Sequence, residues 1–387
     1  MPMIVVGTRG AGRLAQVSKW GAVQLADGTP SLDWWVAAED RWHDPSLEPT
    51  VRQIRPSGLP MVETLVRVPG GDVAHRVYAV ADGGGLVVIE IENRSPRSLA
   101  VAVSRRDVLT SRPPAAVPIQ GIELPSESIV LPIAHGTSIR LGLGLGRGTL
   151  PPVPSWDAVQ SGWLAQLDRC PRLDVPSSTV LDEIRELRSL LLMDEGVDAD
   201  SAVDVCLMAG ELVRLGERAE PWVDQVSEAA IHVAKASRRR SATVDEHAAL
   251  GRAAEVLRAA GQPTGADDID EMRRRMIGLT TGASSGVRRL AQLVDGQVHV
   301  DATGTVVLWS SGVPTDWFGQ SFGVVDVPVP GGEFGVAVRW HGERPALIWE
   351  GPPGIAVRCP GLDPSWSSSL PRGEALLGTP VAIPLRM

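Results

Sequence analysis

Along this chain the spacing of apolar residues changes twice: from a period of two to a period near 3.6 at about residue 150, and back again at about residue 295. A strand sends alternate side chains to opposite faces, whereas a helix returns to one face every three or four residues. No single stretch satisfies both patterns, so the changes mark boundaries. The expected fold class is multidomain α and β: an N-terminal antiparallel β-sandwich over 1–141, a Gly/Pro-rich linker over 142–154, an α-helical hairpin domain of about six helices over 155–295 and a C-terminal antiparallel β module over 296–387. With 387 residues and 43% hydrophobic content, several cores of ordinary size are available.

The N-terminal strands read from Met61–Val68, Val73–Val80, Leu86–Glu92 and Leu99–Val103, with further candidates around Ile129 and Ile139. In the third, Val87, Ile89 and Ile91 share one face and Glu90 and Glu92 the other, which predicts a sheet with one wet face. Helical spacing follows Pro154, with Val180, Ile184, Leu187 and Leu191 forming one apolar stripe. Further helices are expected over about 156–169, 200–215, 221–237, 244–260 and 266–278. Thr243-Val244-Asp245-Glu246 fits a capping box. The turns after Leu215 and Ala260 lie about 45 residues apart and suggest two similar αα-hairpins. Beyond, Val306–Trp309, Phe322–Val327, Phe334–His341 and Ala346–Glu350 read as strands, with His341–Arg344 a hairpin loop.

Charge and cysteine content exclude several classes. The net charge is −9 with both signs interleaved, so no basic stripe offers a phosphate-backbone footprint and no nucleic-acid partner is expected. Arg238–Arg240 and Arg273–Arg275 sit where helices end, at the negative pole of the dipole. The three cysteines, Cys170, Cys206 and Cys359, form no Cys-x-x-Cys pair, and the seven histidines include no His-x-x-x-His, so neither a metal site nor any other cofactor is expected. Gly7–Gly12 lacks a dinucleotide fingerprint, and no Gly-x-Ser-x-Gly elbow occurs. The N-terminus carries no basic-then-apolar leader, and no apolar run reaches the roughly 20 residues of a membrane span, so a cytoplasmic protein without membrane contact is expected.

Chemistry-bearing residues concentrate in two places. The block Asp33–Asp44 holds three tryptophans, four carboxylates and a histidine. The second concentration is Arg339-Trp340-His341-Gly342-Glu343-Arg344. Indole faces stack on the C–H face of a sugar while carboxylates take its hydroxyls. Trp34, Trp35, Trp42 and Trp340 are therefore the candidate platforms, and His43, Asp44, His341, Glu343 and Arg344 the candidate polar contacts, with Glu39 and Asp40 as candidate catalytic carboxylates. The plain alternative is that the tryptophans are core anchors and the charges a solvated rim.

The order of sandwich, linker, αα-hairpins and β module, with Val88–Pro96 as a sandwich hairpin, resembles the toroid-type carbohydrate enzymes, namely the glucoamylase-like hydrolases and the maltose-phosphorylase group. The helical stretch is shorter than a complete double ring requires, which implies a partial toroid or a small bundle. The resemblance places a general acid at an inter-helix loop, which here is Asp194–Asp200 with Glu195 as the candidate; the same residues also serve as helix caps. Two readings follow. One is a protein that binds or processes a small-molecule or oligomeric glycan, hydrolysing or phosphorolysing a glycosidic bond with a carboxylate pair if it is an enzyme. The other is a non-catalytic assembly protein that keeps the layout and engages a protein partner or a second copy of itself.

Overall fold

The computed structural model describes residues 3–115, 120–144, 146, 148–193, 201–237, 241–276, 278–280, 282 and 286–380. The chain forms two compact units, Met1–Leu164 with Leu192–Gly196, and Ala165–Leu191 with Val197–Met387. Among the described residues are seven α-helices and several antiparallel sheets, a mixed α and β chain.

The first unit is built on a seven-stranded sheet whose centre is Leu86–Asn93 between Gly71–Val80 and Ser138–Leu143, all antiparallel. A four-stranded sheet carries Leu99–Val103 between Ile129–Ile133 and Trp34–Ala37, with Trp42–His43 at its edge. Val77, Ile89, Ile91, Val101 and Leu131 belong to one apolar cluster spanning these sheets. Each such side chain contributes about 1.5–3 kcal/mol when fully buried. The expected wet face is corrected here. Glu90 is only 5% exposed, because it accepts from Arg76 Nη1 at 3.1 Å and Arg140 Nε at 2.5 Å. Arg76 lies 5.5 Å over the Trp156 ring, and the Tyr78 hydroxyl donates to the Pro154 carbonyl at 3.1 Å. Alternation in sequence distinguishes the two faces of the strand, but paired arginines and an indole cover the second one.

The helices are α1 (Trp156–Leu167), α2 (Ser178–Met193), α3 (Ala202–Arg214), α4 (Val223–Ser237), α5 (Val244–Ala259), α6 (Pro263–Arg274) and α7 (Gly286–Gln297). Six match the expected periodic stretches. The seventh, α7, presents Leu290, Ala291 and Val294 inward. It is tied to α3 by Arg288–Asp204 at 2.7 Å and to α2 by Arg289–Glu183 at 2.8 Å.

The second unit is threaded by a buried ladder of alternating charge. Arg188 Nε donates to Glu211 at 2.7 Å, Arg214 lies 4.0 Å from Glu211 and binds Glu255 at 2.8 Å, and Arg252 contacts both Glu255 and Asp295. The two middle helices carry mirrored forms of one pattern, Gly210-Glu211-x-x-Arg214 on α3 and Gly251-Arg252-x-x-Glu255 on α5. A Cβ at Gly210 would come within 2.6 Å of the Arg252 Cβ, so the small residue is what lets α3 and α5 close over the charges.

Two larger β-sheets, besides the short parallel pairing of Ala242–Thr243 with Leu279–Thr280, complete this unit. Phe322–Val329, Gly332–His341, Arg344–Glu350 and Arg372–Leu376 form one, and Val298–Val300, Thr305–Leu308, Ala356–Cys359 and Asp363–Ser368 the other. Their cores meet around Val324, Val338, Leu347, Trp309 and Trp317. The edge strand of the first sheet, Arg172–Asp174, lies between two expected helices, inside the domain expected to be α-helical. Three residues are too short for periodicity to register, and pairing with Gly323–Val325 gives them their extended form.

Candidate functional site

The second unit encloses a cavity of about 610 Å³. Its wall combines the first turn of α5, the inner face of α7 and the loops around Asp301 and Ser310. The capping box sets the first turn in place: Glu246 N donates to Thr243 Oγ1 at 3.1 Å, and Thr243 N donates to Glu246 Oε2 at 2.8 Å. Asp245 and His247 are thereby fixed at the start of the helix, where a carboxylate suits the positive end of the dipole.

Asp245 is 2% exposed. Its Oδ1 accepts from Gln292 Nε2 at 2.9 Å, whereas Oδ2 is buried with no hydrogen-bond partner. Gly282 lies against this carboxylate, and a Cβ there would come within 2.0 Å of Oδ2. The other two carboxylates of the wall are neutralised. Burial opposes ionisation of Asp295, but the charges of Arg252 and Arg214 together with the bond from Arg252 hold its pKa below the usual range. Burial likewise opposes ionisation of Asp301, yet bonds from Thr303 and Thr305 and the charge of Arg358 hold its pKa below the usual range.

Arg273, 6% exposed, donates from Nη2 to the Val300 carbonyl at 2.7 Å, and its Nε and Nη2 both lie 3.3 Å from His247 Nδ1. Burial lowers the His247 pKa to about 4, helped by the Arg273 charge. The ring is therefore neutral near pH 7, and because Nδ1 accepts, its proton sits on Nε2. His299 Nδ1 donates to the Asp295 carbonyl at 2.8 Å. Ser310 and Ser311 reach the wall from a turn in which Trp309 holds a left-handed φ of +47°. A bulky residue in that region stores backbone strain, as is common at binding sites.

None of the candidate catalytic or ligand-binding residues named from the sequence lines this cavity. Trp34 is a core residue: its Nε1 donates to the Trp20 carbonyl at 3.0 Å, and its ring stacks on buried His75 with centroids 4.5 Å apart. That burial leaves no indole face for a sugar and corrects its expected role as a platform. Trp35 and Trp42 are half-buried, and their Nε1 atoms donate to Asp44 Oδ2 at 3.1 Å and to the Gln120 carbonyl at 2.9 Å. Asp44 Oδ1 accepts from the Ser46 amide and hydroxyl at 2.8 and 2.6 Å, which makes it a turn former.

His43, 3% exposed, lies between two carboxylates, Asp40 at 3.1 Å and Glu48 at 3.0 Å. Glu48 also takes Arg41 at 2.6 Å, and this bond, with that from His43, lowers its pKa. Glu39 is exposed and pairs with Arg97 at 2.6 Å. In the second unit, His341 and Arg344 pair across a turn containing Gly342, with φ +65°, and Glu343. Both termini of that turn and Glu343 are exposed, and Arg344 donates to the Leu377 carbonyl at 2.8 Å. Trp340 packs on Phe318 with ring centroids 5.3 Å apart. Glu195 lies outside the described residues.

The one sequence signal that leads to the cavity is the capping box, since it predicts a rigid helix start bearing Asp245 and His247. Among the described residues, no group of three or more His, Cys, Asp or Glu side chains is placed to hold a metal ion. No described helix is long and apolar enough to cross a membrane. Comparison of the sequence with protein-family models and with curated proteins gave no match.

Proposed function

We propose that this chain is a carbohydrate-binding or carbohydrate-processing protein whose ligand occupies the cavity at the start of α5. The observation that carries the reading is Asp245, a buried carboxylate on the wall of a sugar-sized cavity with one oxygen unpartnered. A sugar hydroxyl supplies the missing donor if Gly282, which lies against that oxygen, shifts on binding. Small apolar side chains at Val244, Ala248 and Ala291 leave room for the C–H face of a pyranose, although no tryptophan stacks on it. If the bound sugar is processed, hydrolysis or phosphorolysis requires two carboxyl groups, and Asp245 and Asp301 are the pair we assign. The αα-hairpins flanked by β elements agree with a shortened toroid-type layout, and a cytoplasmic location remains part of the proposal.

The test is a glycan array together with a chromogenic glycoside panel, run on the full chain and on Asp245→Asn. Loss of signal in the variant supports the cavity. Retention there, with loss in Trp35→Ala or Trp42→Ala, moves the ligand to the tryptophan block. A second reading, an assembly protein or homo-oligomer, draws on the edge strand Trp42–His43 and the adjoining Leu47, which is 80% exposed. A concentration-dependent increase in mass by light scattering, abolished by Leu47→Asp, would favour it.

A further inference from the structure

We infer that the cavity takes an acidic sugar, whose carboxylate or phosphate is held by Arg273 and His247 while a hydroxyl reaches Asp245. The inference rests on the cavity being the ligand site, and it adds the charge of the ligand.

The wall carries two charged groups, Arg273 and Asp245, for which no ion pair is found among the described residues. Asp295 has Arg252 and Asp301 has Arg358, but among the described residues no carboxylate lies within ion-pair distance of Arg273. Among the described residues, Asp245 accepts a hydrogen bond only from the neutral amide of Gln292. A guanidinium is cationic at any ordinary pH, and desolvating one without a partner is costly. Its Nε and Nη2 are engaged by His247 and the Val300 carbonyl, which leaves Nη1 without a partner among the described residues. His247 adds a second donor, because accepting at Nδ1 places its proton on Nε2. A planar guanidinium, with the imidazole N–H of His247 as a further donor on the same wall, suits the oxygens of a carboxylate or phosphate.

The shape of Arg273 is constrained from behind. A Cβ at Gly251 would come within 3.1 Å of its Cζ, so α5 forms a flat backing that keeps the guanidinium in the wall. Burial also lowers the Arg273 pKa despite Asp270 and Asp295, as expected for a cation whose own carboxylates stand too far off to compensate. An anionic ligand supplies that compensation, and the Asp245 carboxylate on the same wall selects a ligand that also carries hydroxyl donors.

The experiment is calorimetric titration of the full chain with glucuronate, galacturonate and glucose 6-phosphate against glucose and galactose. Acidic sugars are expected to bind at least tenfold tighter. Arg273→Gln should lower their affinity on the order of 10- to 100-fold and reduce their preference over neutral sugars by a similar factor. Arg273→Lys should fall between, and with His247→Gln it carries the test if Arg273→Gln does not fold by circular dichroism. Whichever of the uronates or the phosphate shows the larger dependence on Arg273 identifies the head group. Equal affinity for neutral and acidic sugars, or a preference for acidic sugars that survives Arg273→Gln, overturns the inference and leaves the cavity as a neutral-sugar site. Binding of neither class, or binding indifferent to Asp245→Asn, overturns both the inference and the cavity reading beneath it.

Discussion

The tryptophan block of the first unit and the cavity of the second are both rich in carboxylates, histidine and arginine, yet they treat those groups in opposite ways. In the block nearly every polar group is answered locally. Asp44 takes Trp35 and Ser46, His43 sits between Asp40 and Glu48, and Glu39 takes Arg97. In the cavity, among the described residues, Asp245 keeps an unpartnered oxygen and Arg273 has no carboxylate within ion-pair distance. Buried polar groups are normally satisfied, so an exception indicates either a ligand or a stability penalty that something else offsets. A density of functional residue types therefore says less about a site than a shortfall in hydrogen bonding does.

The comparison breaks first at the largest effects. Trp34→Ala should destabilise the first unit by about 3–5 kcal/mol, as expected for a core indole. Trp35→Ala should cost the first unit only about 1 kcal/mol, since that side chain is half-buried. Equal losses in urea unfolding monitored by tryptophan fluorescence would contradict the division of the block into core and rim. In the second unit, Arg188→Ala should cost about 3–5 kcal/mol, because it strands the buried Glu211 carboxylate. An unchanged midpoint would show that the charge ladder does not support the cavity wall.

Acid sharpens the contrast between the units. Burial holds the His75 pKa down to about 3 and the His247 pKa to about 4, from an ordinary 6.5. Each folded value is depressed, so the unfolded chain takes up protons first as pH falls. The associated stability is complete above about 6.5 and is lost on acidification toward 4 for His247 and 3 for His75. His75→Phe keeps the stack on Trp34 and should flatten the acid branch of the first unit in melts between pH 7 and 4. A branch of unchanged slope would remove His75 as its source.

Smaller still is the expected change in stability for Asp245→Asn. It removes a charge with an unpartnered oxygen, so stability should hold or rise by about 1 kcal/mol while ligand affinity falls. A loss of several kcal/mol would make Asp245 a structural residue of the helix start. The smallest effect belongs to Glu39→Ala, whose exposed pair with Arg97 should be worth under about 0.5 kcal/mol. A larger loss would mean that the rim of the block is ordered by more than local pairing.

Much of the fold is legible in particular runs of sequence. Leu99–Val103 is a strand over the expected residues, and α3, α4 and α5 begin and end within a few residues of their expected bounds. Short elements are not legible. Arg172–Asp174 is extended because Phe322–Val329 lies beside it. The α7 stripe is hidden behind a run of Gly, Thr and Ser that reads as loop, and only its arginine pairs with α2 and α3 reveal what holds it. The site was less legible than the fold. Trp34 looks like a sugar platform until His75 and the Trp20 carbonyl are found against it.

What the sequence determined by itself is local: apolar period, turn chemistry and the capping box at Thr243. These follow from bonds and spacings within a few turns of chain. Only the tertiary structure decided which polar groups end without a partner, because satisfaction of a buried carboxylate or guanidinium depends on atoms brought from distant positions. Asp245, Arg273, Asp301 and Ser310 come from four separate elements and share one cavity wall. Whether each is answered by the protein or left for a ligand is set by packing, which no spacing along the chain encodes.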